Sequence, residues 1–77
     1  MEITVVFDLT LRRYCPSGSN RVTVDFPEGT KIREVLDHFE IITGEVGIIL
    51  RNGQLANKET VLEDKDVLQL FQVFGGG

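Results

Sequence analysis

The chain has 77 residues, of which 42% are hydrophobic and 26% charged, and its formal net charge is −4. A chain of this length holds one small domain, and its ordinary composition indicates a folded globular protein. The acidic balance argues against binding to nucleic acid or to an anionic membrane, because both reward clustered Lys and Arg side chains. It suits a protein partner with a basic surface.

The cysteine content and the apolar segments argue against a disulfide-bonded, metal-binding, secreted or membrane-spanning protein. Cys15 has no second cysteine for an intrachain disulfide, and the sequence has no Cys/His cluster, so we expect no metal site. The segment that starts at Met1 has no signal-peptide pattern, and no apolar run reaches the length of a membrane span. We therefore expect a reducing, cytoplasmic setting. In the polar loop around Cys15, an incidental surface cysteine is favoured over a reactive thiol.

The first third of the chain predicts an antiparallel hairpin of two strands. Apolar residues alternate with mostly polar ones over residues 2–9 and again over residues 21–26. The alternating apolar positions are Ile3, Val5, Phe7 and Leu9, then Val22, Val24 and Phe26. Residues 10–20 contain proline, glycine and asparagine, which predict a loop between the two strands.

The next segment predicts one amphipathic helix. Its apolar residues have the spacing i, i+3, i+4 and i+7, at Ile32, Val35, Leu36 and Phe39. Thr30 is expected to cap the start, because its hydroxyl can accept an unpaired amide of the first turn. Gly44 is expected to close the other end, so the helix would stop near residue 42.

Three more strands are predicted after the helix. Residues 46–50 are a continuous apolar run, and Asn52-Gly53 predicts a type I′ turn into a short strand at residues 54–55. Residues 67–73 are almost entirely apolar, which favours a central position beside the first strand. The prediction is an α+β fold with a mixed sheet of four to five strands and one helix packed on one face.

This element order resembles the β-grasp (ubiquitin-like) fold, and more narrowly the MoaD/ThiS family of sulfur carriers. The matching motifs are Pro27-Glu28-Gly29-Thr30, Arg51-Asn52-Gly53, the segment from Leu62 to Val67, and the ending Phe74-Gly75-Gly76-Gly77. One position departs from the family pattern, because Lys65 stands where the family often has glycine. If φ is positive at Lys65, this costs about 1 kcal/mol relative to glycine. The resemblance implies a domain over residues 1–74 and a flexible tail over residues 75–77.

The resemblance also implies that the chemistry lies on the carboxylate of Gly77. In the family, an E1-like partner enzyme uses ATP to adenylate this carboxylate, and sulfur then replaces the adenylate to give a thiocarboxylate. Gly75 and Gly76 have no Cβ and would fit a narrow channel in the partner. The chain itself would bind no cofactor and has no self-contained active site. The alternative is that the glycines are a frayed terminus or a linker remnant of cloning.

The same resemblance implies a set of partners and pathways. The partners are the adenylating enzyme, a sulfur-accepting synthase subunit such as the large subunit of molybdopterin synthase, and an indirect sulfur source such as a cysteine desulfurase. The length of the first loop favours molybdopterin (molybdenum or tungsten cofactor) synthesis, whereas the ending from residue 70 resembles carriers of thiamine thiazole synthesis. Two roles of a different class also fit the sequence: a modifier joined to lysines through Gly77, and a binding module with an inert tail.

Strand alternation predicts which face of the sheet meets these partners. With the core side of the first strand toward the helix, Val6 points to the open face of the sheet. Ile49 and Phe71 are predicted there too, with Ile48 and Leu50 in the core. The three outward side chains would form an apolar patch, and Phe74 is predicted to anchor the tail beside it. A shift of one residue in register would bury these side chains instead.

Overall fold

The computed structural model describes residues 1–16 and 18–73. The strands in these residues are β1 (Glu2–Phe7), β2 (Arg21–Asp25), β3 (Val46–Arg51), β4 (Gln54–Leu55) and β5 (Val67–Gln72). The helical elements are α1 (Ile32–His38), a first 3₁₀ helix (Leu9–Tyr14) and a second 3₁₀ helix (Thr43–Glu45). None of the helices in this part of the chain is long and apolar enough to cross a membrane.

The five strands form one mixed sheet in the order β2-β1-β5-β3-β4. β1 and β5 are parallel, with Val5 opposite Leu68 and Phe7 opposite Leu70. The other neighbouring strands are antiparallel. The predicted β-grasp arrangement is therefore confirmed, including the central position of the first and last strands.

The hydrophobic core lies between the sheet and α1. The inward side chains of β1 and β5 are fully buried, as the alternation predicts, and the apolar stripe of the helix is buried as well. Phe7 of β1 meets Phe39 edge to face, with ring centroids 5.2 Å apart. Such a pair stabilises by about 0.5–1.5 kcal/mol beyond its burial. The helix is thus held on one face of the sheet, and the other face stays open.

The predicted side-chain directions in β3 are wrong by one residue. Ile49 is 7% exposed and belongs to the core, whereas Ile48 is 44% exposed and points to the open face. The pairing with β5 explains this, since Ile49 lies opposite the buried Leu70 and a bulge separates Val46 from Ile48. An unbroken apolar run has no alternation from which its register could be read.

The helix ends earlier than predicted. Its last residue is His38, and Glu40 adopts a φ of 57° just beyond it. The Ile41 amide donates to the Leu36 carbonyl and the Glu40 amide to the Asp37 carbonyl, both at 3.0 Å. These are the two bonds of a Schellman motif, which usually has glycine at the position of Glu40. The predicted closure by Gly44 was wrong, because the chain turns early enough to bury Ile41 in the core.

The start of the helix also differs from the prediction. The Thr30 hydroxyl donates to the Pro27 carbonyl at 2.6 Å, and so closes the preceding turn instead of capping the helix. The first helical amides, of Ile32 and Arg33, donate to the carbonyls of residues 60 and 58, respectively, each at 3.0 Å. A distant loop therefore satisfies the amides that Thr30 was predicted to satisfy.

The loop predicted over residues 10–20 is partly helical and partly buried. The first 3₁₀ helix turns Leu11 and Cys15 toward the core, where Leu11 is fully buried and Cys15 is 6% exposed. Cys15 is therefore a core residue, and its predicted surface position was wrong. The polar neighbours of Cys15 hide this in the sequence, because a short 3₁₀ helix has no clear apolar period.

The two turns that flank the last strands have the predicted backbone. Asn52 and Gly53 have φ values of 52° and 83°, as a type I′ turn requires. Lys65 has a φ of 71°, so this lysine occupies a position that favours glycine. Its ammonium group pairs with Glu2 at 2.7 Å on the surface. Such exposed pairs add little to stability.

Replacement of Glu40 by glycine is expected to stabilise the protein by about 1 kcal/mol, because glycine adopts the left-handed conformation without steric cost. Urea unfolding of the wild type and of Glu40→Gly measures the difference. Glu40→Ala removes the same carboxylate but keeps a Cβ, and should unfold within about 0.5 kcal/mol of the wild type. Equal stabilisation by both substitutions would show that charge, and not backbone strain, is the cause.

Candidate functional site at the end of the last strand

The end of β5 is the point from which the predicted tail departs. Phe74 and Gly75 to Gly77 lie outside the described residues, so the predictions for them stay predictions. The described chain ends at Val73, which is 46% exposed and follows directly after β5. We call Gln72 and Val73 the tail root. The tail root and the residues that contact it therefore form the candidate site.

The start of β3 holds one side of the tail root. The Val73 amide donates to the backbone carbonyl of Glu45 at 3.0 Å. Next to it, Gly47 lies so close to β5 that a Cβ would stand 3.0 Å from the Gln72 carbonyl oxygen and 3.0 Å from the Val73 Cα. The bulge at Gly47 thus brings the two backbones together where the last strand ends.

The first 3₁₀ helix holds the other side of the tail root. The backbone amide of Thr10 donates to the side-chain oxygen of Gln72 at 3.2 Å, and the Thr10 hydroxyl also bonds to this oxygen. Arg13 donates in turn to the Thr10 carbonyl at 3.0 Å. The side chain of Gln72 is thereby tied to the segment that follows β1.

The carboxylate of Glu45 links the two sides. It pairs with the guanidinium of Arg13 and accepts a hydrogen bond from the hydroxyl of Tyr14. Arg13 also donates to the Tyr14 hydroxyl at 3.3 Å. The Tyr14 hydroxyl and the Arg13 charge hold the pKa of Glu45 below its usual value. Sequence reasoning missed this cluster, because Arg13 and Glu45 lie 32 positions apart and form no motif.

The open face of the sheet carries an apolar patch beside the tail root. Ile48 lies opposite Phe71, Leu50 lies opposite Gln69 and Leu55, and Gln69 lies opposite Val6. We call the apolar members of this set, Val6, Ile48, Leu50, Leu55 and Phe71, the open-face patch. The predicted positions of Val6 and Phe71 agree with their half-buried side chains. Ile49 is in the core and Ile48 takes its place in the patch.

The two motifs near the start of β5 form a structural network at the opposite end of that strand. Asp66 is 4% exposed and accepts hydrogen bonds from Arg51 (2.6 Å), Asn52 (2.8 Å) and the Glu63 amide (2.8 Å). Burial opposes ionisation of Asp66, but these donors outweigh it and hold its pKa below the usual value. Asn52 also accepts from the Val67 amide at 2.9 Å. The Asp66 carboxylate therefore fixes the turn before β5 and is not a second reactive site.

Comparisons with known proteins agree with this description. The model of the ThiS family matches residues 12–77. Among solved structures, SAMP1, the small archaeal modifier protein 1 of Haloferax volcanii, aligns over all of both chains with a TM-score of 0.76 and 23% identity. A chain from the complex of subunits 1 and 2 of molybdopterin-converting factor of Helicobacter pylori aligns over all of both chains (TM-score 0.61, 24% identity).

A third solved structure, a thiamine biosynthesis protein of Geobacter metallireducens, is aligned over all of this chain and 88% of that one (TM-score 0.56, 25% identity). None of the curated proteins compared with the chain matches it. The solved structures agree with the observed β-grasp fold, and the family model covers both the tail root and the glycines.

Replacement of Gly47 by alanine is expected to destabilise the protein by about 1–3 kcal/mol, because the new Cβ forces the end of β5 away from β3. Urea unfolding measures the loss. Gly44→Ala is the matched control, since a Cβ at Gly44 meets nothing within 4 Å and the position has no positive φ. If the two variants unfold alike, the close approach at Gly47 has no energetic consequence.

Proposed function

The chain belongs to the ThiS family, and from that membership we propose that it is a sulfur carrier that acts through the carboxylate of Gly77. A partner enzyme of the E1-like class would adenylate this carboxylate, and a sulfur donor would convert it to a thiocarboxylate. The observation that carries the proposal is the tail root, where a central strand of the sheet ends in ordered contacts immediately before Phe74 and three glycines. ATP would be bound by the partner, and not by this chain.

The proposed chemistry has two steps. In the first, a carboxylate oxygen of Gly77 attacks the α-phosphorus of ATP, the bond between the α- and β-phosphates breaks, and pyrophosphate leaves. In the second, a hydrosulfide equivalent adds to the acyl carbon and AMP leaves, so that one oxygen is replaced by sulfur. A free α-carboxyl group has a pKa of about 3.3–3.7 and is ionised at neutral pH, as the first step requires.

The carrier and its partner would contribute different parts of the catalysis. Glycine residues let the carboxylate enter an enclosed site, because without a Cβ they occupy little width and adopt backbone angles closed to other residues. The partner would supply the cations and dipoles that stabilise the phosphoryl transition state. The folded domain would supply orientation, since it delivers the reactive end from a fixed position.

Molybdopterin synthesis is the pathway that we favour, with the synthase subunit as acceptor of the sulfur. The structural likeness to a molybdopterin-converting factor that is itself in complex with a second subunit supports a partner of this kind. Thiamine thiazole synthesis is the alternative, supported by the likeness to a thiamine biosynthesis protein. The likeness to SAMP1 fits the third candidate, a protein modifier joined to lysines.

Intact-mass measurement tests the proposed chemistry. After incubation with its adenylating enzyme, ATP and a sulfur source, the chain should gain the mass that corresponds to exchange of one oxygen for one sulfur. A chain extended by one alanine after Gly77 is the matched control, and should gain far less, because its carboxylate stands on a residue with a Cβ. Adducts on lysines of other proteins would support the modifier instead. No change with an enzyme shown to be active would contradict both.

We propose that the open-face patch is the interface with the synthase subunit. Replacement of Ile48 by aspartate is then expected to weaken binding of this subunit at least tenfold, because a charge would be buried in the interface. Titration calorimetry with the synthase subunit measures the dissociation constant. Val61→Asp is the matched control, since Val61 is 49% exposed, close to the 44% of Ile48, but lies beside the start of α1. Equal binding by the two variants would exclude the open-face patch as the interface.

A further inference from the structure

A closed ring of side-chain and backbone contacts surrounds the tail root. We call its members, Thr10, Arg13, Tyr14, Glu45 and Gln72, the root clamp. Starting from Val73, the ring runs through the Glu45 carbonyl and carboxylate to Arg13 and Tyr14. It returns through Thr10 to Gln72. The contacts of Thr10 with Gln72, and those of Glu45 with Arg13 and Tyr14, join segments that are distant in sequence, so the ring fixes the end of β5 from two sides.

We propose that Glu45 is a positioning residue whose side chain orders Val73, the last residue before the predicted tail anchor, before the partner enzyme binds. This proposal rests on the proposed function. In this role the carboxylate acts through the Glu45 backbone, whose carbonyl accepts a hydrogen bond from the Val73 amide at 3.0 Å.

The exposure of the clamp argues against a role in global stability. The side chain of Arg13 is 51% exposed and that of Glu45 is 33% exposed. Ion pairs of this kind contribute little to the free energy of folding, since water screens them. By contrast, the carboxylate of Asp66 at the other end of β5 is buried, so its hydrogen bonds matter more for the stability of the fold. The Glu45 contacts are therefore better suited to local order at the tail root than to holding the fold together.

Local order at this point has a consequence for the partner. Fixing the backbone of one residue changes an equilibrium constant by about tenfold. If Val73 is ordered before binding, the enzyme does not have to order it, and the carrier binds more tightly. Loss of the clamp should thus raise the KM for the carrier by about three- to tenfold. The kcat should stay unchanged, because the bound tail has the same geometry.

The test uses the full chain and its adenylating enzyme in carrier-dependent ATP–pyrophosphate exchange. Glu45→Ala removes the carboxylate but keeps the backbone carbonyl, and should raise KM without a change in kcat. Glu45→Gln keeps an oxygen that can accept a hydrogen bond from the Tyr14 hydroxyl, and its KM should lie between those of Glu45→Ala and the wild type. Glu2→Ala is the matched control, since it deletes a surface carboxylate paired with Lys65 at the opposite end of the sheet.

Amide hydrogen exchange gives a second measurement, which distinguishes local ordering of Val73 from a general effect on stability. In Glu45→Ala, the Val73 amide should exchange faster than in the wild type. The Thr4 amide, which donates to the Asp66 carbonyl at 3.0 Å, should keep its rate. Equal acceleration at both amides would indicate global destabilisation and overturn the proposal.

The remaining outcomes also decide the question. Wild-type KM in Glu45→Ala, or a raised KM with unchanged exchange at Val73, would overturn the positioning role; the second result would indicate direct contact with the enzyme. If the wild-type chain is not adenylated at all, the proposed function fails. The exchange rate of Val73 then still shows whether Glu45 orders the tail root, and an unchanged rate overturns that part as well.

Discussion

The parallel pairing of β1 with β5 is the constraint on which the rest of the structure depends. Parallel neighbours end at the same edge of a sheet, so the segments that follow β1 and β5 emerge side by side. The Asp8 amide continues the pairing by donating to the Leu70 carbonyl at 3.0 Å. The first 3₁₀ helix therefore starts next to the end of β5, and Thr10 reaches Gln72 although 62 positions separate them. Without this register, the root clamp could not form.

The two ends of β5 are held by different physical means. At its start, the Asp66 carboxylate is buried and its hydrogen bonds are made in a low-dielectric setting, where loss of a partner is costly. At its end, the contacts of Glu45 and Gln72 are only partly buried, so each contributes less to the free energy of folding. One strand thus combines an origin that is fixed by a buried network with an end that is ordered by contacts near the surface. This is the distribution expected where a fixed domain presents a segment for insertion into another protein.

The sequence predicts the parts of this fold whose signals are periodic or local. Alternation in β1 assigns its core side correctly, helical spacing assigns the buried stripe of α1, and Asn52-Gly53 marks its turn. The failures have physical reasons. The apolar run of β3 contains no alternation, and the bulge at Gly47 shifts its register. Glu40 takes a backbone conformation that usually signals glycine, which hides the end of the helix. The contacts of Glu45 depend on strand register, and that is not a local property.

The corrected register of β3 also changes how the open face relates to the tail. Ile48 and Phe71 form the last outward pair before the bulge at Gly47, so the open-face patch reaches the tail root. In the proposed carrier, one partner surface could then cover the patch and receive the tail together. Burial of the patch would supply the affinity, and this binding energy would hold the tail in a reactive geometry. A partner that covered the patch without a channel for the glycines would bind the chain but perform no chemistry on it. Recognition would thus reside in the sheet, and reactivity in the tail.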